Sequence, residues 1–343
     1  MSNIDTKTKE YMSRTEVFAD VFNHYLYDGQ TVIQPDHLRE MDTTEVAVPY
    51  DDAGRTYPVQ KFRDILKSAV VKEDENATYI LLLGVENQAA IHNAMPVKNM
   101  VYDALNYAAQ VNAFVRQHRK EKDCGTGAEF LSGMKKGDRL LPVVTLVVYY
   151  GQEKWDGPMS LHEMLAVQHS GILRFVPDYR INLLAPISME LSEIKKFQSD
   201  FRQVAAFIRY ASDKKALEDM TKKDEGFRHM DFLTASVVND VAKAGLKMEK
   251  NAKGEVDMCL AIKEMMEDSL AEGMKKGMEQ GLKKGMEKGM EKGIEKGKKE
   301  GINVVIAGMQ KLLAMGRGSE IQRFTEDEAY RMKVMEEFGL KYN

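Results

Sequence analysis

The chain has 343 residues, a formal net charge of −4, 43% hydrophobic and 30% charged residues. That is enough apolar material for one large core or two smaller ones. The near-neutral balance excludes a uniformly basic nucleic-acid binder, so any such contact needs a local basic face. The longest apolar run, LPVVTLVVYYG, is too short to span a bilayer, and no membrane partner is expected. The N-terminus, MSNIDTKTKEYMSR, has no apolar stretch of the kind a signal peptide needs. Cys124 and Cys259 are far apart, without metal-ligand spacing, as expected of reduced thiols in a cytoplasmic protein.

In residues 14 to 27, Val17, Phe18, Val21, Phe22, Tyr25 and Leu26 recur at helical spacing, which predicts an amphipathic helix ending near Asp28-Gly29. A loop with short extended pieces follows. KFRDILKSAVV then reads as a strand, or the extended approach to one, carrying Asp64. After the charged turn KEDENA, YILLLGVE returns, and the two runs predict a β-hairpin. Residues 93 to 119 have a long helical pattern, with Pro96 tolerated in its first turn. CGTGAEFLSGMKKGD reads as a loop. LPVVTLVVYYG is nearly continuous in apolar residues, as a central strand covered on both faces should be. A short helix in SLHEMLAV, a strand in YRINLLAPI and further helices over 189 to 250 complete a mixed α/β pattern.

The C-terminal part is of a different kind. Glycine recurs at every fourth residue from Gly273 through Gly277, Gly281, Gly285, Gly289, Gly293 and Gly297 to Gly301, with Met, Leu or Ile, then Lys and Glu, between. A period of four advances by about 40° per repeat on a helix of 3.6 residues per turn, so the rows spiral around it. Each glycine costs about 1 kcal/mol against alanine in a helix. The repeat is therefore either a solvated, partly frayed linker or a self-association helix whose glycines permit close approach. INVVIAGMQKLLAMG and GSEIQRFTEDEAYRMKVMEEFG then predict a small helical hairpin, the second helix capped by Thr325.

The chemistry concentrates at the predicted hairpin. In YILLLGVENQ, residues 79 to 88, Glu86 and Gln88 share one strand face. A hairpin can bring Asp64 and Glu86 to one edge of the sheet. Two such carboxylates suit Mg²⁺, a hard ion that prefers oxygen ligands and keeps several waters. Such an ion activates water and stabilises charge developing on a phosphoryl group. Spacing alone leaves open a second reading, a solvated hairpin edge. Glu16 or Asp20, one turn apart on the first helix, could add a carboxylate, or simply face solvent. Trp155 is expected to pack under the loop after the strand, and His24, His92, His118 and His162 show no metal spacing.

The order of these pieces resembles the core of the PD-(D/E)XK nucleases, and more narrowly the recombination-promoting nuclease family, also called YhgA-like transposases. The resemblance rests on RDIL around Asp64, GVENQ at 84 to 88, MPVKNMVYDALNYAAQ at 95 to 110, LPVVTLVVYYGQEKWDGPMSLHEML at 141 to 165, and the glycine-rich repeat. It implies an α/β nuclease-like core, a small mixed sheet flanked by helices, over residues 1 to 250. A charged helical repeat or linker over 251 to 301 and a helical hairpin over 302 to 343 follow. It further implies a Mg²⁺-dependent DNA endonuclease, linked to recombination or mobile DNA, with Asp64 and Glu86 as metal ligands. Gln88 stands where many relatives in the superfamily place a Lys, and a neutral amide cannot supply that charge. Lys98 is the candidate to supply it, as a weaker phosphate clamp than the family's usual Arg. A homodimer is expected of an enzyme that cuts both strands of a duplex. The competing reading is a nuclease fold with a decayed site that binds DNA or associates with itself.

Overall fold

The computed structural model describes residues 3–41, 44–47, 59–62, 64–72, 78–242 and 244–340. The chain divides into two units, Met1–Met265 and Met266–Asn343. The strands of the first are β1 (Leu38–Glu40), β2 (Thr44–Ala47), β3 (Val59–Phe62), β4 (Ile65–Lys72), β5 (Thr78–Gln88), β6 (Val143–Tyr149), β7 (Asn182–Leu184), β8 (Met230–Asp231) and β9 (Glu255–Val256). Its helices are α1 (Asn3–Met12), α2 (Thr15–Tyr27), α3 (Met95–Glu121), α4 (Gly127–Ser132), α5 (Ser170–Leu173), α6 (Leu191–Ile194), α7 (Phe201–Tyr210), α8 (Lys214–Lys223) and α9 (Phe232–Ala242). The long α10 (Met258–Ala314) starts in this unit and continues into the second, where α11 (Ile321–Glu326) and α12 (Glu328–Glu337) follow.

The architecture is mixed α/β, as expected. A five-stranded sheet has the order β1-β4-β5-β6-β7, antiparallel from β1 to β5 and parallel from β5 to β7. The β4–β5 hairpin forms with Ile65 opposite Val85 and Lys72 opposite Thr78. Residues 73–77, most of the charged turn, lie outside the described residues. β6 takes the central place its apolar run demanded, between β5 and β7.

Of the two readings of the run around Asp64, the approach to a strand holds and Asp64 is not on the strand itself. β3 pairs with β2 in a separate two-stranded sheet, β4 begins only at Ile65, and Asp64 lies at the bend between them. The reason is local. The Asp64 carboxylate accepts the Asn87 N–H at 2.9 Å, so a side chain serves a β5 donor just where the β4 ladder stops.

The two sheet faces are covered differently. On the face of Leu83 and Val85, fully buried Lys67 donates to the Ser13 carbonyl at 2.7 Å and lies 5.3 Å from the centroid of the Phe18 ring. That ties β4 to the corner between α1 and α2. Arg14 at the same corner bonds Asp231 at 2.6 Å, and Tyr11 donates to Asp200 at 2.8 Å, which joins the corner to α7 and α9. The opposite face carries α3. There Asp103 accepts from Thr145 of β6 at 2.6 Å and from Tyr179 at 2.5 Å. Met95, Val147 and Ile181 form a core on this side, with Trp155 packed against it. Trp155 meets Tyr149 edge-on at 5.2 Å and donates to the Gly157 carbonyl, the packing role expected of it.

Other local expectations shift. α1 was not foreseen, because NIDTKTKEYM has no apolar stripe and buries Tyr11 and Met12 only at its end. The segment read as a loop after α3 contains α4, capped by a reciprocal Thr126–Glu129 box. SLHEMLAV yields only a 3₁₀ turn, His162–Met164. In the second unit the repeat and the helix after it are one continuous α10, so the glycines do not interrupt it. The last helix is capped by Asp327, which accepts from the Tyr330 N–H at 3.0 Å. Thr325 lies inside α11, its hydroxyl donating back to the Gln322 carbonyl at 2.8 Å.

Candidate active site

The expected residues meet at the end of β5. Asp64 stands just past the last ladder pair, Ile65–Val85, with its carboxylate on the N–H of Asn87, the residue next to Glu86. Glu86 is 1% exposed, although it stands only two residues from the strand's end. The Lys98 ammonium lies 2.6 Å from Glu86 Oε2 and 5.8 Å from the centroid of the Tyr102 ring. Lys98 belongs to the first turn of α3, where the helix dipole disfavours a cation. Its place there is set by the carboxylate across the gap. Gln88 shares the Glu86 face by strand alternation and is half-buried; its carbonyl accepts from the Tyr150 N–H at 2.8 Å.

Asn87 and Tyr150 complete the arrangement, and the sequence reading missed both. Asn87 holds Asp64 through its backbone, while its side-chain oxygen accepts from the Tyr150 hydroxyl at 3.2 Å. Burial, and then the charge of Asp64, push the Tyr150 phenol well above its ordinary pKa. The signal was available as the second tyrosine of VVYYG, but strand alternation alone does not say which tyrosine faces Asn87.

The proposed extra carboxylate from the first helix is corrected for Asp20. Its carboxylate is filled by the N–H groups of Gln198 and Ser199 and by the Ser199 hydroxyl at 2.6 Å, so it clamps a turn. Glu16 is exposed on α2.

His118, Glu121 and Asp123 lie close enough to resemble a second metal cluster. The ring nitrogens of His118 are already engaged, however, by Asp123 at 2.8 Å and Asp138 at 3.0 Å. Burial lowers the His118 pKa, and the hydrogen bonds to the two aspartates outweigh it, so the value stands above the ordinary one. A histidine with a raised folded pKa contributes stability below about pH 6.5 and loses it as pH rises through the folded value. Amide exchange in residues 123 to 138 is therefore expected to speed up between neutral and alkaline pH beyond its intrinsic base dependence. His118→Asn should abolish that extra step, and an identical profile in the variant would refute the clamp.

Fold and site together define an α/β protein with Asp64 on the Asn87 N–H and a buried Glu86–Lys98 pair at the end of a central hairpin. Residues 59–231 match the family model described as "Putative transposase, YhgA-like", and the chain belongs to that family. No curated protein and no solved structure matches it. Among the described residues, no helix is long and apolar enough to cross a membrane.

Proposed function

We propose that the protein is a Mg²⁺-dependent DNA endonuclease that hydrolyses phosphodiester bonds, acting on DNA in recombination or mobile-element contexts. The observation that carries this reading is a carboxylate, Glu86, buried almost completely at a strand end, next to the Asn87 amide that holds Asp64 and paired with Lys98 at 2.6 Å. Burying an ion pair is a poor route to stability, since desolvation offsets most of the attraction. Locally unfavourable arrangements of this kind are expected at functional sites.

The donor set fits the ion. Asp64 and Glu86 offer hard oxygen ligands, and the remaining positions would go to water and substrate phosphate. Bound there, Mg²⁺ supplies Lewis-acid polarisation and a water of lowered pKa. The chain's own residues do the rest. Asn87, fixed by Tyr150, holds the Asp64 carboxylate in place. Lys98 balances the Glu86 charge in the resting site and provides a cationic donor for a phosphate oxygen. Gln88, on the Glu86 face, offers an amide to orient the attacking water.

The test is cleavage of supercoiled plasmid by purified protein. Nicked or linear product is expected with Mg²⁺, none with EDTA, and a loss of at least about 100-fold in Asp64→Ala. Equal cleavage by Asp64→Ala would sink the assignment. A folded wild type that binds no divalent ion by calorimetry would favour the decayed-site reading.

A further inference from the structure

α10 carries an unexplained surface. Every residue from 267 to 299 is exposed. Within that span Met274, Met278, Leu282, Met286, Met290 and Ile294 form one row at spacing four, between 50% and 80% exposed. Beside it runs the glycine row. A Cβ added at Gly273, Gly277, Gly281, Gly285, Gly289, Gly293 or Gly297 would meet nothing in the chain. Gly308, later in the same helix, is the informative contrast: a Cβ there would stand 2.5 Å from the Phe324 ring. That glycine is required by a neighbour inside the chain. The repeat glycines weaken the helix with no such neighbour.

We propose that this face pairs with the same face of a second copy of the chain, parallel and in register, as a close-packed right-handed helix pair. The rows decide the partner. Set at 100° per residue, the glycine and apolar rows are adjacent and form a single seam. From residue 284 to 296 the row flanking the seam on its apolar side holds Glu287, Glu291 and Glu295, and the row on its glycine side holds Lys284, Lys288, Lys292 and Lys296; nearer the start of the repeat the apolar side carries Lys275 and Lys283 around Glu279, and the glycine side Lys276 and Gln280. In a parallel pair related by a two-fold axis, the apolar-side flank of one helix faces the glycine-side flank of the other. Over residues 284 to 296, Glu then meets Lys along both edges. In an antiparallel pair each flank faces its own kind, and Lys meets Lys. Glu287, Glu291, Glu295, Lys288 and Lys292 make no ion pair among the described residues, so their charges are available for this.

The repeat length sets the handedness. A row that advances about 40° every four residues winds once in about 36 residues, or ~54 Å of helix, in the right-handed sense. That is far tighter than the ~150 Å pitch of heptad coils. It requires axes closer than the ~8–10 Å of ordinary helix pairs. Rows of glycine at spacing four permit that approach, with crossings of about −40°.

The full-length protein is tested by sedimentation equilibrium. A dimer is expected for wild type. In G281Q/G285Q/G289Q/G293Q the dimer should weaken by at least about tenfold. Helical circular dichroism should hold or rise in that variant, because Gln is the better helix former. In a C124S/C259S background, G289C should cross-link to its own copy under mild oxidation. A monomeric wild type, a Gln variant that dimerises as well as wild type, or a dimer in which G289C fails to cross-link would overturn the proposal.

Discussion

Lys98→Ala is expected to destabilise the first unit more than Glu86→Gln does, and Mg²⁺ should reverse the order of the damage. Lys98 is about a quarter exposed, whereas the Glu86 side chain is 1% exposed. Removing the lysine leaves a buried carboxylate without its nearest cation. Removing the carboxylate charge leaves a lysine that can turn to water. Breaking a fully buried pair costs about 3–5 kcal/mol, and the partial exposure of Lys98 brings the expected cost to about 2–3 kcal/mol. That is a fall of several degrees in Tm. Saturating Mg²⁺, held by Asp64 and Glu86, would replace the missing charge. At about 100 times its Kd it adds ~2.7 kcal/mol. Thermal melts should therefore show a larger Mg²⁺-induced rise in Lys98→Ala than in wild type, and none in Glu86→Gln. Equal Mg²⁺ responses in all three would remove the metal from Glu86, whatever the plasmid assay shows.

The second large effect is expected at Phe324. The second unit has a small core, Leu312, Phe324, Val334 and Met335, all 2% exposed or less. Phe324→Ala should cost about 3–5 kcal/mol, the usual range for a buried aromatic truncated in place. Small cores supply only about that much net stability. Hydrogen exchange should thus show α11 and α12 losing most of their protection while β4 and β5 keep theirs. Retained protection in α12 would show that the helical hairpin does not depend on this ring. Gly308→Ala tests the same contact from the other side. Alanine favours the helix by about 1 kcal/mol, but its Cβ would press on the ring, and overpacking of about 1–3 kcal/mol should leave the balance destabilising.

Much of the fold was legible because its periodicities are strong. The apolar runs of β5 and β6, the amphipathic α2 and the long α3 each repeat one pattern long enough to exclude the alternatives. The short elements were not legible. α4 and the turn at His162–Met164 are set by caps and neighbouring backbone, not by a repeating pattern. Asp20 shows how a residue type misleads: a helix-face carboxylate reads as solvated or catalytic, yet here it satisfies the backbone of residues 198 and 199 from a distant part of the chain.

By itself the sequence determined the mixed α/β class, the hairpin that brings Asp64 and Glu86 to one end, and the four-residue repeat whose rows spiral around a helix. These are consequences of residue order and of two fixed periods, 2 along a strand and 3.6 along a helix. Only the tertiary structure decided that Asp64 stands outside the strand with its carboxylate on the Asn87 N–H, that Lys98 reaches Glu86 across the sheet-to-helix gap, and that Tyr150 backs Asn87. Each of those contacts joins residues 12 to 63 positions apart, and local pattern carries no information about which long-range partner satisfies a buried charge or amide. Burial makes such partners obligatory, and the packing of α3 and β6 around the end of β5 selects them.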